Sequence, residues 1–133
     1  MGNGAALVSY KLYIEIVVAE FDWDPDVITS FTGITPTRVY RKGVNNKPRN
    51  SWKVSSYELE SKEFSDHWNW IKQRIGDKYL KLCDLLDSSH IRELNIVVSQ
   101  YDNYPEIVIP PDFLDLAEKL WTEVKIYTYN YNE

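Results

Sequence analysis

Three observations place this sequence in the α+β class. Apolar residues alternate with polar ones in several short runs, they recur every third or fourth position in others, and Pro, Gly and Asn clusters separate the two patterns. The expected architecture is a single antiparallel or mixed sheet with about three helices packed on it, in the order β-α-β-(β)-α-β-β-α-β. At 133 residues, 44% hydrophobic and 26% charged, the chain suits one core and one domain over 1–133, ordered from about residue 8 to residue 129.

Each element has its own warrant. From Val8 to Glu20, Val8, Tyr10, Leu12, Ile14, Ile16 and Val18 fall on one face, with Ser9, Lys11, Tyr13 and Glu15 on the other, which is a strand with one wet side. Asp22 to Gly33 carries Pro25 at a helix start, Val27, Ile28 and Phe31 at helical spacing, and a glycine stop. Thr35-Pro36 forbids continuation and leads into a short strand over Thr37 to Arg41. Lys42 to Ser51 is dense in turn formers and reads as an exposed loop, followed by a strand from Ser51 toward Leu59.

Phe64 to Leu86 is helical by the spacing of Phe64, Trp68, Ile71, Ile75, Tyr79, Leu82 and Leu86, with Ser65 suited to cap its start. Gly76 in its middle leaves one rod and two joined helices equally open. Ile91 to Tyr101 alternates again, and a turn around Asp102-Asn103 suggests a hairpin with Glu106 to Ile109. Pro110-Pro111-Asp112 starts a last helix through Trp121, and Glu123 to Tyr131 forms a final strand. The Pro25-Asp26 and Pro111-Asp112 helices each lead to a strand at similar spacing, an echo that would suit two ferredoxin-like half repeats.

Composition narrows function. Aromatic residues reach 14%, with ten Tyr and five Trp, more than a small core hides completely, so some rings are expected at a binding or oligomer surface, with homodimerisation one use for them. A net charge of −5 works against a nucleic-acid binder and favours a basic protein partner. No stretch is long and apolar enough to span a membrane, and the start lacks a basic signal-peptide region. Cys83 is alone, which excludes an intramolecular disulfide and suits a reducing cytoplasm.

No catalytic or cofactor motif emerges. His67 and His90 lack metal-ligand spacing, His67 reading as a solvated or half-buried helix residue and His90 as a surface residue near Glu93. Cys83 sits among Leu82, Leu85 and Leu86, where a thiol is inert. Nucleophile-elbow, phosphate-loop and dinucleotide fingerprints are missing, and no cofactor or metal is expected. Two surfaces stand out. Tyr40, Arg41 and Lys42, with Trp52 beyond a polar loop, lie in a local basic run that also holds Arg38, Lys47, Arg49 and Lys53 and could hold an anion. Tyr13 and the Tyr127, Tyr129 and Tyr131 series fall on the wet face of the sheet as an aromatic platform.

Asp24-Pro25-Asp26 with Ile28, Gly33-Ile34-Thr35-Pro36-Thr37, Arg41-Lys42-Gly43 and Trp52 resemble the opening pattern of the bacterial domain-of-unknown-function family DUF4279. Phe113, Leu114, Leu120 and Val124-Lys125-Ile126-Tyr127 are similar to its ending. The resemblance covers roughly residues 8 to 129 and implies a small bacterial cytoplasmic α+β domain, with no activity or catalytic residues to transfer. The expectation is a non-enzymatic protein-binding domain, such as a toxin-immunity or accessory protein. The alternative is a small-molecule or anion binder built on Arg41, Lys42 and Trp52, and a hydrolase or transferase would need a concave pocket of convergent polar groups.

Overall fold

Leu12, Ile14, Ile16 and Val18 point one way from β1 (Tyr10–Ala19), and all four are buried. The computed structural model describes residues 10–87, 90–100, 106–120 and 122–130. After β1 come α1 (Asp26–Thr32), β2 (Arg38–Tyr40), β3 (Ser51–Ser55), α2 (Phe64–Ile75), α3 (Tyr79–Leu85), β4 (Ile91–Gln100), α4 (Pro111–Leu120) and β5 (Glu123–Asn130). The order is thus β-α-β-β-α-α-β-α-β, α+β as expected but with four helices among the described residues rather than three.

The five strands form one mixed sheet in the order β2-β3-β1-β4-β5. β1 is its centre, antiparallel to β3 through Val18↔Trp52 and to β4 through Ile14↔Ile96. β2 pairs antiparallel with β3 at one edge, and β5 runs parallel to β4 at the other. The two helix-to-strand units that echo each other, α1 to β2 and α4 to β5, therefore end on opposite edges and in different pairings.

All helices bury their apolar stripes against one face of this sheet. Phe64, Trp68, Ile71 and Ile75 of α2, Leu82 of α3, and Phe113, Ala117 and Leu120 of α4 join Leu12, Ile14, Ile16, Trp52, Val54, Leu94 and Ile96 in a single core. Phe113 anchors it, with its ring 4.9 Å from that of Trp68 and 5.7 Å from that of Phe64. Burying such rings away from water is the main stabilising contribution available to a domain of this size.

Local signals explain the helix boundaries. Asp24 Oδ1 accepts the Asp26 N–H at 2.8 Å at the start of α1. Gly33 ends that helix at φ 77°, its N–H donating to Thr29 O at 2.8 Å. Gly76 (φ 54°, ψ −136°) leaves helical geometry altogether, so the 64–86 region is two helices, of which α3 begins at Tyr79. Ser65 does not cap α2. Its N-cap is Glu63, whose N–H donates to Ser61 Oγ at 3.1 Å while that hydroxyl donates to Asp66 at 2.6 Å.

Glu106–Ile109 is not a strand and forms no hairpin with β4, and the turn expected at 102–103 lies outside the described residues. β1 occupies one side of β4 and β5 the other, which leaves no ladder position for this segment. Its alternation reflects packing instead, because Ile107 and Ile109 lie half-buried on the core while Val108 faces solvent. Among the described residues, no helix is long and apolar enough to cross a membrane.

Candidate functional site

The period of two that buries the even residues of β1 sends Lys11, Tyr13, Glu15 and Val17 to the opposite face. The pairing register then fixes their neighbours. Tyr13, Val97 and Tyr127 form one row across β1, β4 and β5, and Ser55, Glu15, Asn95 and Lys125 form the next. Lys53, Val17 and Glu93 form a third. The helices bury their stripes on the other face, so among the described residues this one stays open as a broad depression of ≈ 570 Å³. Tyr13, Tyr40, Tyr127 and Tyr129 line it, with Lys47 and Arg49 of the 41–50 loop at its rim.

The floor is polar and mostly paired. Glu93 accepts from Lys125 Nζ at 2.7 Å and from Asn95 Nδ2 at 3.2 Å, and Glu15 lies 3.7 Å from Lys53 Nζ. The hydrogen bond to Glu93 raises the Lys125 pKa above its ordinary value, so the ammonium stays charged. Side-chain exposures of 13% for Glu15 and 14% for Glu93 shield these pairs more than ordinary surface pairs. Asn95 is only 2% exposed, and its Oδ1 has no hydrogen-bond partner among the described residues. A buried carbonyl in that state favours whatever can bring it a donor.

The aromatic rim is also engaged with cations. Arg38 donates to the Tyr40 hydroxyl at 3.1 Å, which lowers the pKa of that phenol, and Lys47 Nζ lies 4.2 Å from the ring centroid. Tyr13 meets Tyr57 edge-on at 5.0 Å, and Lys11 caps the Tyr57 ring at 4.4 Å.

Tyr40, Tyr127 and Tyr129 therefore share one surface, while the rest of the anion-binding set is dispersed. Arg41 ties the end of β2 to the start of α1, 3.1 Å from Asp24 and 2.9 Å from Asp26. The Lys42 side chain is exposed, and its backbone N–H donates to Asn50 Oδ1 at 2.8 Å. Trp52 is 0% exposed on the helix side of the sheet, where its Nε1 donates to Thr29 Oγ1 at 3.2 Å. Of the other basic residues, Arg49 reaches Glu20 at 3.4 Å. Tyr131 lies outside the described residues. Glu15, Glu93 and Asn95 belong to no sequence motif and Lys125 only to the family-like ending, so the signal for the group is polarity at the wet positions of alternating strands.

The two histidines and the cysteine are each held in local hydrogen bonds. His67 is neither solvated nor half-buried, as its place in the sequence suggests, but fully buried. Its Nε2 lies 2.7 Å from Ser61 O, a pure acceptor, so Nε2 carries the proton and Nδ1 accepts from Ser56 Oγ at 2.7 Å. Burial lowers its pKa below 6.5. His90 partners Asp87, whose N–H donates to its Nδ1 at 3.1 Å, rather than Glu93. Cys83 is half-buried, its Sγ donates to Lys119 O at 3.0 Å, and burial pushes its pKa up.

A smaller cleft of ≈ 230 Å³ between α2, α3 and α4 holds the exposed pair Lys72 and Asp112 at 2.9 Å. Among the described residues no three His, Cys, Asp or Glu side chains gather as a metal site. A family model described as a domain of unknown function (DUF4279) matches residues 10–131. No curated protein and no solved structure matches the chain.

Proposed function

The chain belongs to the DUF4279 family, and on that footing we propose that it is a non-enzymatic binding domain that receives another protein on the open face of its sheet. The observation that carries this reading is the uncovered depression ringed by Tyr13, Tyr40, Tyr127 and Tyr129. Tyrosine supplies large amphipathic contact area at low entropic cost, which is why it is enriched at protein interfaces. The engagement of His67 and Cys83 in buried or half-buried hydrogen bonds supports a non-enzymatic role.

The order β4-β1-β3-β2 of the first four strands, with every neighbouring pair antiparallel, supports reading them as a ferredoxin-like unit to which α4 and β5 are appended. Sheets of that kind keep one face free for a partner.

The floor also favours a class of partner. Glu15 and Glu93 are carboxylates with acceptor capacity beyond their lysine contacts, so an arginine or lysine side chain of the partner has somewhere to go. A basic toxin neutralised by an acidic bacterial cytoplasmic immunity protein is one such pairing. In the test, tagged chain is cross-linked in its native host, and the captured protein and the cross-linked lysines are identified by mass spectrometry. Cross-links through Lys47, Lys53 and Lys125, lost together with the partner in Tyr127→Ala/Tyr129→Ala, are expected. Retention of the partner by that double variant would overturn the assignment of the face.

A further inference from the structure

The two edges of the sheet are built differently. β2 is three residues long and follows Pro36, so it offers little to an incoming strand. β5 is eight residues long, has no proline, and among the described residues pairs only with β4. Among the described residues its outer backbone groups are a row of unpaired donors and acceptors of the kind that recruits another strand.

β5 also exposes apolar side chains that the helices leave uncovered. Val124 and Ile126 point to the helix side, in register with Leu94 and Ile96, yet are 38% and 58% exposed. Leu94 and Ile96 beside them are fully buried. The helical layer therefore stops at β4, and the last strand projects past it.

The sequence of β5, EVKIYTYN, says what fits there. Laid antiparallel against itself about a two-fold axis through Ile126, it sets Ile126 against Ile126, Val124 against Thr128, Lys125 against Tyr127, and Glu123 against Tyr129. Every pair keeps to its own face of the sheet, and no like charges are directly opposed. Lys125 meets an aromatic ring, and Glu123 meets a phenol that can donate to it. The strand carries one negative and one positive side chain, so the chain's net charge of −5 is not concentrated at this seam.

We infer that β5 is a dimerisation edge, at which a second copy of this chain adds its own β5 antiparallel to build a continuous ten-stranded sheet. The contact is isologous and closes on itself, which limits assembly to two copies. It covers Val124 and Ile126 on the helix side. On the other side it joins the two open faces, with Tyr127 of each copy opposite Lys125 of the other and Tyr129 opposite Glu123. The inference is independent of what binds that face, because a monomer could still receive a partner there.

Sedimentation equilibrium of the full chain across a concentration series provides the test. The expected mass at high concentration is twice 15.7 kDa. Ile126→Lys sets like charges together at the axis and should weaken association about a hundredfold. Because Ile126 is largely exposed, the circular dichroism spectrum and melting temperature should stay close to those of the wild type. Mixing Ile126→Lys with Ile126→Glu should restore a dimer of mixed composition. A wild-type chain that stays monomeric at about 1 mM would overturn the proposal. So would an Ile126→Lys chain that dimerises as before, or a failure of the two charge variants to pair.

Discussion

Lowering the pH from 7.5 to 5 should destabilise this protein through one side chain, His67. The ring is fully buried and neutral, with Nε2–H donating to Ser61 O and Nδ1 accepting from Ser56. Its folded pKa is depressed, first by burial. In the unfolded chain the imidazole regains a value near 6.5, so below that pH the unfolded state binds a proton the native state refuses. Stability from this group is therefore complete above pH 6.5 and declines as the pH falls toward the folded pKa. The slope cannot exceed about 1.4 kcal/mol per pH unit, which bounds the loss at about 2 kcal/mol between pH 6.5 and 5. Asp24 and Asp112 act in a lower window. The backbone N–H of Asp26 and the ammonium of Lys72 hold their respective carboxyls below 3.8, so their contribution is lost only at more acidic pH. Urea denaturation followed by tryptophan fluorescence at half-unit pH steps measures the slope. His67→Gln can still donate to Ser61 O, and Ser56 can turn to Ile14 O, 3.3 Å away, so this variant should fold with a flatter profile. Equal slopes for wild type and His67→Gln between pH 6.5 and 5 would refute the reasoning.

Three further outcomes follow from the fold. Phe113→Ala empties a fully buried site against Phe64 and Trp68 and should cost about 3–5 kcal/mol, read as a lower urea midpoint. Gly33→Ala should cost about 1 kcal/mol in thermal unfolding. The nearest neighbour of the added methyl is Lys78 Cε at 4.0 Å, so the loss is the backbone strain of a left-handed alanine and not a clash. Cys83 should react with Ellman's reagent at least about tenfold more slowly in the native protein than in urea, because its thiol is half-buried with a raised pKa. Rapid stoichiometric labelling of the native chain would contradict that placement.

Much of the fold was legible because burial writes a period into the strands. The alternation in Leu12 to Val18 and in Leu94 to Val98 reports which face is inside, and the same parity sends Tyr127 and Tyr129 outside. It does not report which strand sits beside which. Glu106–Ile109 alternates well enough to suggest a hairpin, but the place beside β4 goes to β5, more distant in sequence and parallel. The burial of His67 also left a trace that polarity obscured. It stands three residues after Phe64 and four before Ile71, on the apolar stripe of α2. Trp52 shows the converse, since its flanking basic residues suggested a ligand site while its own strand parity put it in the core. The group formed by Glu15, Asn95, Glu93 and Lys125 comes from three strands, and only their register brings it together.

The position of β1 at the centre of the sheet has a consequence for how the chain reaches this state. Its two neighbours lie far downstream, so during synthesis the run YKLYIEIVVA emerges well before Ser51–Ser55 and Ile91–Gln100 can cover it. Closing such long loops is slow, and an apolar β-prone segment waiting for distant partners is exposed to self-association in the meantime. Conditions that stall translation before β4 emerges should therefore tax solubility more than conditions that slow it afterwards.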